Sequence, residues 1–526
     1  MKYFILLLLP AVLLAQVPNI LWQKRMGSTD GEIARSMIKT TDGGFILGGY
    51  STSNAYYEKT DNCRGGADYW IVKTNATGEI QWDKTIGGAL NDVLYSIIQT
   101  SDGYLISGSS GSDISGEKNE NCRGGYDYWI LKLSLSGTIE WQKTIGGNAL
   151  EDYANVISTL DGGFLVYGDS RSDISGEKTE MCRGIDDIWL VKLSLNGLIE
   201  WQKTIGGDGF DRPRRVIQNS DGSYIIAAES TSNISGEKTE NSRGYYDLWI
   251  LKTDSLGNIL QQRTIGGADY DWVTSLIPTT DGNYMITAVS RSGISGEKTE
   301  GCRGDDDYWI LKLDPLFNII FQRTYGGDHD EYLTNLVACA NGGYLVFGSS
   351  QSGISGEKLT PVSGYNDAWI LKLNDSGTIV WQKTIGGYAP GIYSGQDGFT
   401  NAVQLQDDSF VLFGTTDSNI SGDIVDFPRG IFDYWLVKLD AENLNVPENS
   451  FSNEFILSPN PASHYITIQS KKNLVQKFNY QIIDSAGKVI SAGNSNSSEK
   501  INIDYLQSGN YLIKLNKDIT LKFIKK

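Results

Sequence analysis

One tryptophan returns seven times in this chain, at Trp70, Trp129, Trp189, Trp249, Trp309, Trp369 and Trp435, in steps of 59, 60, 60, 60, 60 and 66 residues. It sits in a unit reading DYWILKLSLSGTIEWQKTIGG from Asp127, DIWLVKLSLNGLIEWQKTIGG from Asp187, DLWILKTDSLGNILQQRTIGG from Asp247 and DYWILKLDPLFNIIFQRTYGG from Asp307. A unit of this length must bury its apolar residues against its neighbours, so the repeat decides the architecture. Within one unit, YANVISTL reads as a first strand and Asp161-Gly162 as a hairpin turn. GFLVYGDS is a second strand, DIWLVKLS a third and LIEWQKTI a fourth, with the polar stretch RSDISGEKTEMCRGI between the second and third. Near-continuous apolar runs require cover on both faces of each sheet. Seven antiparallel meanders so covered pack radially about an axis. The expected fold is all-β, a seven-bladed β-propeller over residues 19–440.

The ends of the array fit a ring. Ile20–Lys24 reads as a fourth strand with nothing before it, and Phe432–Asp440 as a third strand with no fourth after it. The N-terminal strand is expected to complete the last blade and remove two exposed edges. A linear solenoid, the runner-up, needs capping repeats rather than a split unit. Short Asp-Gly turns and third-to-fourth turns share one side. The long ISGEKTE-CRG loops lie on the other, where binding chemistry is built on a rigid scaffold.

Charge divides the chain. The net charge is −18, yet residues 453–526 carry ten Lys against five Asp/Glu, which leaves −23 on residues 1–452. No basic face is present to displace counterions from phosphate, which argues against nucleic acid. With only His329 and His464, a histidine base or a His-rich metal site has little to draw on. MKYFILLLLPAVLLA (residues 1–15) reads as a secretory signal, too short to span a bilayer, and no later run is long enough to cross one.

DGGFLVYG, DIWLVKL and GLIEWQKTIGG, with an Asp shortly after Gly-Gly, resemble the seven-bladed repeat of bacterial surface and secreted proteins known as SBBP. The ISGEKTE-CRG insertion departs from that pattern. Residues 441–455 are polar and read as a linker. Beyond them, LSPNPASHYITIQ, YQIIDSAGKVISAG, INIDYLQSGNYLIKL and the closing LKFIKK resemble the type A C-terminal sorting domain of the type IX secretion system of Bacteroidetes. That resemblance covers residues 456–526, with Pro459, Asn460, Pro461, Gly487, Gly509 and Tyr511 as its motif residues. It implies a small β-sandwich recognised by the secretion machinery at the outer membrane, and a protein released or held at the cell surface.

Several residue sets invite a chemical reading. Glu117, Glu120 and Asp127 recur with Arg123 from copy to copy, and such oxygens are candidates for Ca²⁺. The competing reading pairs the arginine with these carboxylates to rigidify the loop. Asp92, Asp152, Asp211, Asp271 and Glu331 follow Gly-Gly and read either as an acid/base ring or as acceptors for loop N–H groups. The third-strand lysines, Lys73, Lys132, Lys192, Lys252, Lys312, Lys372 and Lys438, each need a carboxylate partner. Cys63, Cys122, Cys182 and Cys302 share one repeat position, which suits unpaired loop residues better than disulfides. The repeated tryptophans read as core. Aromatics that do not repeat, Tyr56, Tyr57, Tyr388, Tyr393, Phe427 and Phe432, are the candidate ligand contacts. The expected protein is a non-catalytic, cofactor-free binding or adhesion module for glycan or protein. The alternative is a secreted polysaccharide hydrolase using loop carboxylates.

Overall fold

The β-branched and aromatic runs of the repeat form strands throughout. No helix occurs among the described residues of the computed structural model, which are 17–391, 394–441, 455–470, 477–484, 488–497, 499–515 and 519–526. The chain divides into two units, Asn19–Asp440 and a tail from Ala441 to Lys526.

The larger unit holds seven four-stranded antiparallel sheets. Sheet 1 is built from Glu32–Lys39, Phe45–Ser51, Asp68–Thr74 and Ile80–Ile86, in chain order. Sheets 2 to 6 repeat this plan from Asp92, Glu151, Asp211, Asp271 and Glu331. Sheet 7 takes three strands from Asp397–Gln404, Phe410–Thr416 and Asp433–Leu439, and its fourth from Ile20–Met26. In that pairing Gln23 stands opposite Val437 and Arg25 opposite Trp435.

The apolar faces meet between sheets. Ile46, Tyr69 and Ile71 of sheet 1 pack on Leu94, Ile97 and Trp129 of sheet 2. The other face of sheet 1, through Phe45, Leu47 and Trp70, packs on Val411, Phe413 and Tyr434 of sheet 7. The Tyr69 hydroxyl donates to the carbonyl of Trp129 and that of Tyr434 to the carbonyl of Trp70, so the joint between last and first sheets copies the joint between the first and second. All seven repeated tryptophans are buried, each worth several kcal/mol by area.

One departure from the repeat has a packing reason. Gly78, Gly137, Gly197 and Gly257, each in a turn at positive φ, sit against Trp22, Trp82, Trp141 and Trp201 of the preceding sheet. Sheet 4 has Gln261 in place of that tryptophan, and the following turn carries Phe317 in place of glycine. The Phe317 ring lies 6.3 Å from Tyr284, matching the 6.3 Å of Trp82–Tyr104 and Trp201–Tyr224. The aromatic is supplied from the other side of the joint.

Third-strand lysines reach the Asp of the first hairpin turn in six sheets: Lys73–Asp42, Lys132–Asp102, Lys192–Asp161, Lys252–Asp221, Lys312–Asp281 and Lys438–Asp407. In sheet 6 that turn residue is Asn341, and Lys372 donates to the carbonyl of Gly342 at 2.6 Å.

The tail has two sheets. One orders Phe455–Ser458, Tyr465–Ser470 and Lys500–Asn502; the other orders Val489–Asn496, Lys477–Ile483, Gly509–Leu515 and Ile519–Lys525. They share a core of Ile466, Ile468, Ile482, Ile513, Leu515 and Phe523. The strand beginning at Phe455 starts within the end of the segment read as a linker.

Candidate functional site

What repeats around the larger unit is a buried charge belt. At the joint of sheets 1 and 2, Asp68 accepts from the backbone N–H of Arg64, and Asp92 accepts from Gly88 N–H at 2.6 Å and from the Ser112 hydroxyl. Both carboxyls are fully buried. Burial first, then the charge of Asp92, pushes Asp68 up to about 6, and burial raises Asp92. A Cβ on Gly87 would lie 2.1 Å from Asp68 Oδ1, which is why the first glycine recurs at every joint, including Gly27, where Ser28 takes the place of the second. The pairs continue as Asp127/Glu151, Asp187/Asp211, Asp247/Asp271, Asp307/Glu331, Asp367/Asp397 and Asp433/Glu32. Here the reading of Asp152 as a ring acid is corrected. The fourth residue after the second glycine is Glu151, which accepts from Gly147 N–H at 2.7 Å, whereas Asp152 accepts from the Tyr95 hydroxyl.

A buried cation sits beside each pair. Lys118 Nζ donates to Thr144 Oγ1 at 2.7 Å and lies 5.4 Å from the Trp129 ring centre, and Lys59, Lys178, Lys238, Lys298 and Lys358 repeat the bond to their own fourth-strand threonines. Sheet 7 reverses the arrangement. Ile424 replaces the loop lysine, and Arg25 of the N-terminal strand replaces the threonine. Its guanidinium donates to Asp433 and to the carbonyl of Ser418.

The loop acids follow the same logic. Glu117 pairs with Arg64 of the preceding sheet at 2.6 Å and accepts from Gly87 N–H; Glu120 accepts from Thr144 N–H at 2.7 Å; Asp127 accepts from Arg123 N–H at 2.7 Å. The staple recurs as Arg123–Glu177, Arg183–Glu237, Arg243–Glu297, Arg303–Glu357 and Arg429–Glu58. Among the described residues, no group of three or more His, Cys, Asp or Glu side chains is placed to hold a metal ion. Cys63, Cys122, Cys182 and Cys302 are half-buried thiols outside any disulfide, pushed up to about 11 by burial.

A cavity of about 540 Å³ is lined by the first strands of all seven sheets. Each of those strands has a bulge at the same place, between Ala34 and Ser36, Leu94 and Ser96, Asp152 and Asn155, Pro213 and Arg215, Val273 and Ser275, Leu333 and Asn335, and Phe399 and Asn401. A bulge re-aims one side chain, and the wall receives Arg35, Tyr95, Tyr153, Arg214, Thr274, Thr334 and Thr400. In sheet 3 the order of roles is exchanged: Tyr153, held at φ 56°, lines the cavity and Ala154 is buried. Four of these side chains form a ladder. Arg35 lies 5.6 Å from the Tyr95 ring, Tyr95 5.1 Å from Tyr153, and Arg214 4.9 Å from Tyr153. Arg214 is paired with buried Glu229. Trp272 also lines the cavity and begins a stacked run through Tyr270 to Tyr245, at 5.0 and 4.8 Å.

The aromatics singled out from the sequence lie elsewhere. Tyr56 and Tyr57 are exposed and meet edge to face at 4.5 Å. Tyr57 has φ 47°, because the other six sheets place glycine there at φ 53–55°. Arg429 lies 5.8 Å from the Tyr57 ring and donates to the carbonyl of Phe427, so Tyr57 and Phe427 share one neighbourhood. Phe432 is half-buried and bridges to Gly31 through its backbone. Exposed Tyr388 bonds through its backbone to Ser421, and Tyr393 lies outside the described residues.

In the tail, Asn460 accepts from Ile524 N–H at 2.9 Å and donates to the carbonyl of Lys522, fixing the Pro459–Pro461 turn to the last strand. Tyr511 stacks on Phe523 at 5.7 Å, Gly509 opens the strand that pairs with it, and Gly487 lies outside the described residues.

Residues 457–526 match the secretion system C-terminal sorting domain, which marks the chain for type IX export to the cell surface or beyond. Over 271 residues the chain is 25% identical to the regulatory protein FlaEY of Caulobacter vibrioides, a match covering 47% of this chain and 28% of that protein. Among solved structures it is similar to a protein of unknown function from Dyadobacter fermentans, at 12% identity, TM-score 0.40, 81% of this chain and 99% of the other. It is also similar to the Pan2 WD40 domain of Neurospora crassa, at 10% identity, TM-score 0.40, 79% of this chain and 95% of the other.

Proposed function

We propose that the seven sheets are the blades of a closed β-propeller, and that this exported protein is a non-catalytic binding module for an extracellular glycan or protein, with the cavity as its binding site. The observation that carries the reading is the contrast between two sets of residues. Buried acids, cations and tryptophans are copied from sheet to sheet, which is what holding a ring together requires. The residues delivered by the bulges are not copied in this way: sheets 1 to 4 supply two Arg and two Tyr and sheets 5 to 7 supply Thr, an asymmetry that suits recognition. The repeated carboxylates are committed to backbone N–H groups and arginines, which favours binding over hydrolysis.

A glycan and surface-protein binding screen of the full chain, with and without chelator, tests this. Tyr95→Ala and Trp272→Ala should each weaken binding tenfold or more, Tyr56→Ala and Phe427→Ala should leave it unchanged, and chelator should have no effect. Turnover of a polysaccharide, or loss of binding with the outer-loop variants alone, overturns it.

A further inference from the structure

The cavity wall has a charge pattern opposite to that of the chain. Of the wall's charged side chains, Arg214 is paired with Glu229, and Asp306 is paired with Arg291 at 2.8 Å. Two guanidinium groups remain. Arg35 is exposed and rests on the rings of Tyr50 and Tyr95, at 5.7 and 5.6 Å. Arg215 faces the hydroxyl of buried Tyr167. Neither belongs to an ion pair among the described residues. A chain of net charge −18 therefore keeps two guanidinium groups outside ion pairs in a cavity lined by all seven sheets. A recess with low-dielectric walls focuses such a field on whatever enters.

We infer that the cavity takes a carboxylate-bearing oligosaccharide, a uronate; this rests on the reading that the cavity is the binding site. The guanidinium forks of Arg35 and Arg215 match carboxylates in planar geometry. The faces of Tyr95, Tyr153, Trp272 and Tyr332, all on the wall, suit the apolar faces of sugar rings. The threonine side offers little to a polar ligand: Thr334 and Thr400 already donate to the carbonyls of Phe347 and Phe413, and Thr274 is bonded to Thr287. An acidic peptide would satisfy the arginines equally. It would bind by adding a strand to an inner sheet edge, and a bulge interrupts each of those edges midway.

Calorimetric titration of the full chain with trigalacturonate and with its methyl ester tests this. The acid should bind at least tenfold more tightly than the ester, and raised salt should weaken it. Arg35→Ala should cost tenfold or more in affinity with the unfolding temperature unchanged, and Arg35→Lys should restore part of the loss. Equal binding of acid and ester, or an Arg35→Ala chain that binds as tightly as the parent, overturns the inference. If Tyr95→Ala still abolishes that binding, the cavity remains the site and only the charge assignment falls. Arg35-dependent binding of pentaglutamate, with none of trigalacturonate, overturns the sugar class. No binding of either uronate, with all other ligands insensitive to Tyr95→Ala, overturns both readings.

Discussion

Replacing Arg25 by Thr lowers stability by about 3–5 kcal/mol, the cost of leaving a buried carboxyl without its cation, and Ile424→Lys in the same chain restores most of it. Six sheets place the buried cation on the long loop and the threonine on the fourth strand, as in Lys118 and Thr144. Sheet 7 has Ile424 and Arg25 instead, and Arg25 bonds Asp433 in a site where both side chains are out of solvent. The exchange follows from connectivity. The fourth strand of this sheet comes from the other end of the chain, so the charge that neutralises Asp433 arrives only when Ile20–Met26 docks. The double variant gives sheet 7 the pattern of its neighbours. Ile424→Lys alone crowds a second cation beside Arg25 and should destabilise. Chemical unfolding of the four chains gives the coupling energy as a double-mutant cycle. Additive losses would show that residues 25 and 424 do not share one site.

Stability should also rise as pH falls from 8 to 5. Asp68, Asp127, Asp187 and Asp247 are each pushed up to about 6, and Glu331 and Asp397 to about 7, chiefly by burial. Between the ordinary carboxylate range and these values the folded chain holds more protons than the unfolded chain. Stability from these groups is full at low pH and is lost as pH rises through 6 to 7. Lys238 and Lys358, lowered by burial to about 8, act in the opposite sense: their contribution is present above the ordinary lysine range and lost as pH falls to 8. The minimum therefore lies near pH 8. On the acid side, Asp42 and Asp161 are held down at about 2, by Lys73 and Thr40 and by Thr159 and Lys192, and their contribution disappears below about pH 4. Calorimetry across pH 3–9 should place the highest unfolding temperature near pH 4. A maximum near pH 8 would show that the paired carboxyls are not protonated in the folded chain.

The repeat made the sheets legible, because Trp129 and its copies mark the third strand and Asp161-Gly162 and its copies mark a hairpin. The split sheet was legible too, since Ile20–Lys24 and Phe432–Asp440 are fragments of one unit. The ring acid of sheet 3 was misplaced because GGNALED offers adjacent acids, and only the offset of four shared by Asp92 and Asp211 selects Glu151. The cavity was not legible. A bulge shifts register by one residue without a mark in the apolar pattern, so Arg35, Tyr95 and Arg214 look like ordinary strand positions. Alignment of the seven copies holds the missing signal: one column reads Arg, Tyr, Ala, Arg, Thr, Thr and Thr, and where sheet 3 has its alanine the column before it carries Tyr153. Tyr57 takes the backbone conformation that the other six sheets give to a glycine, a feature the sequence shows only when the copies are aligned.

Closure of the ring by the N-terminal strand is tested most directly by native-state hydrogen exchange. The amides of Ile20–Met26 should be as strongly protected as those of Asp433–Leu439 and should open with them in one cooperative step. Exchange of Ile20–Met26 at the rate of an unpaired chain end, with Asp433–Leu439 still protected, would contradict it.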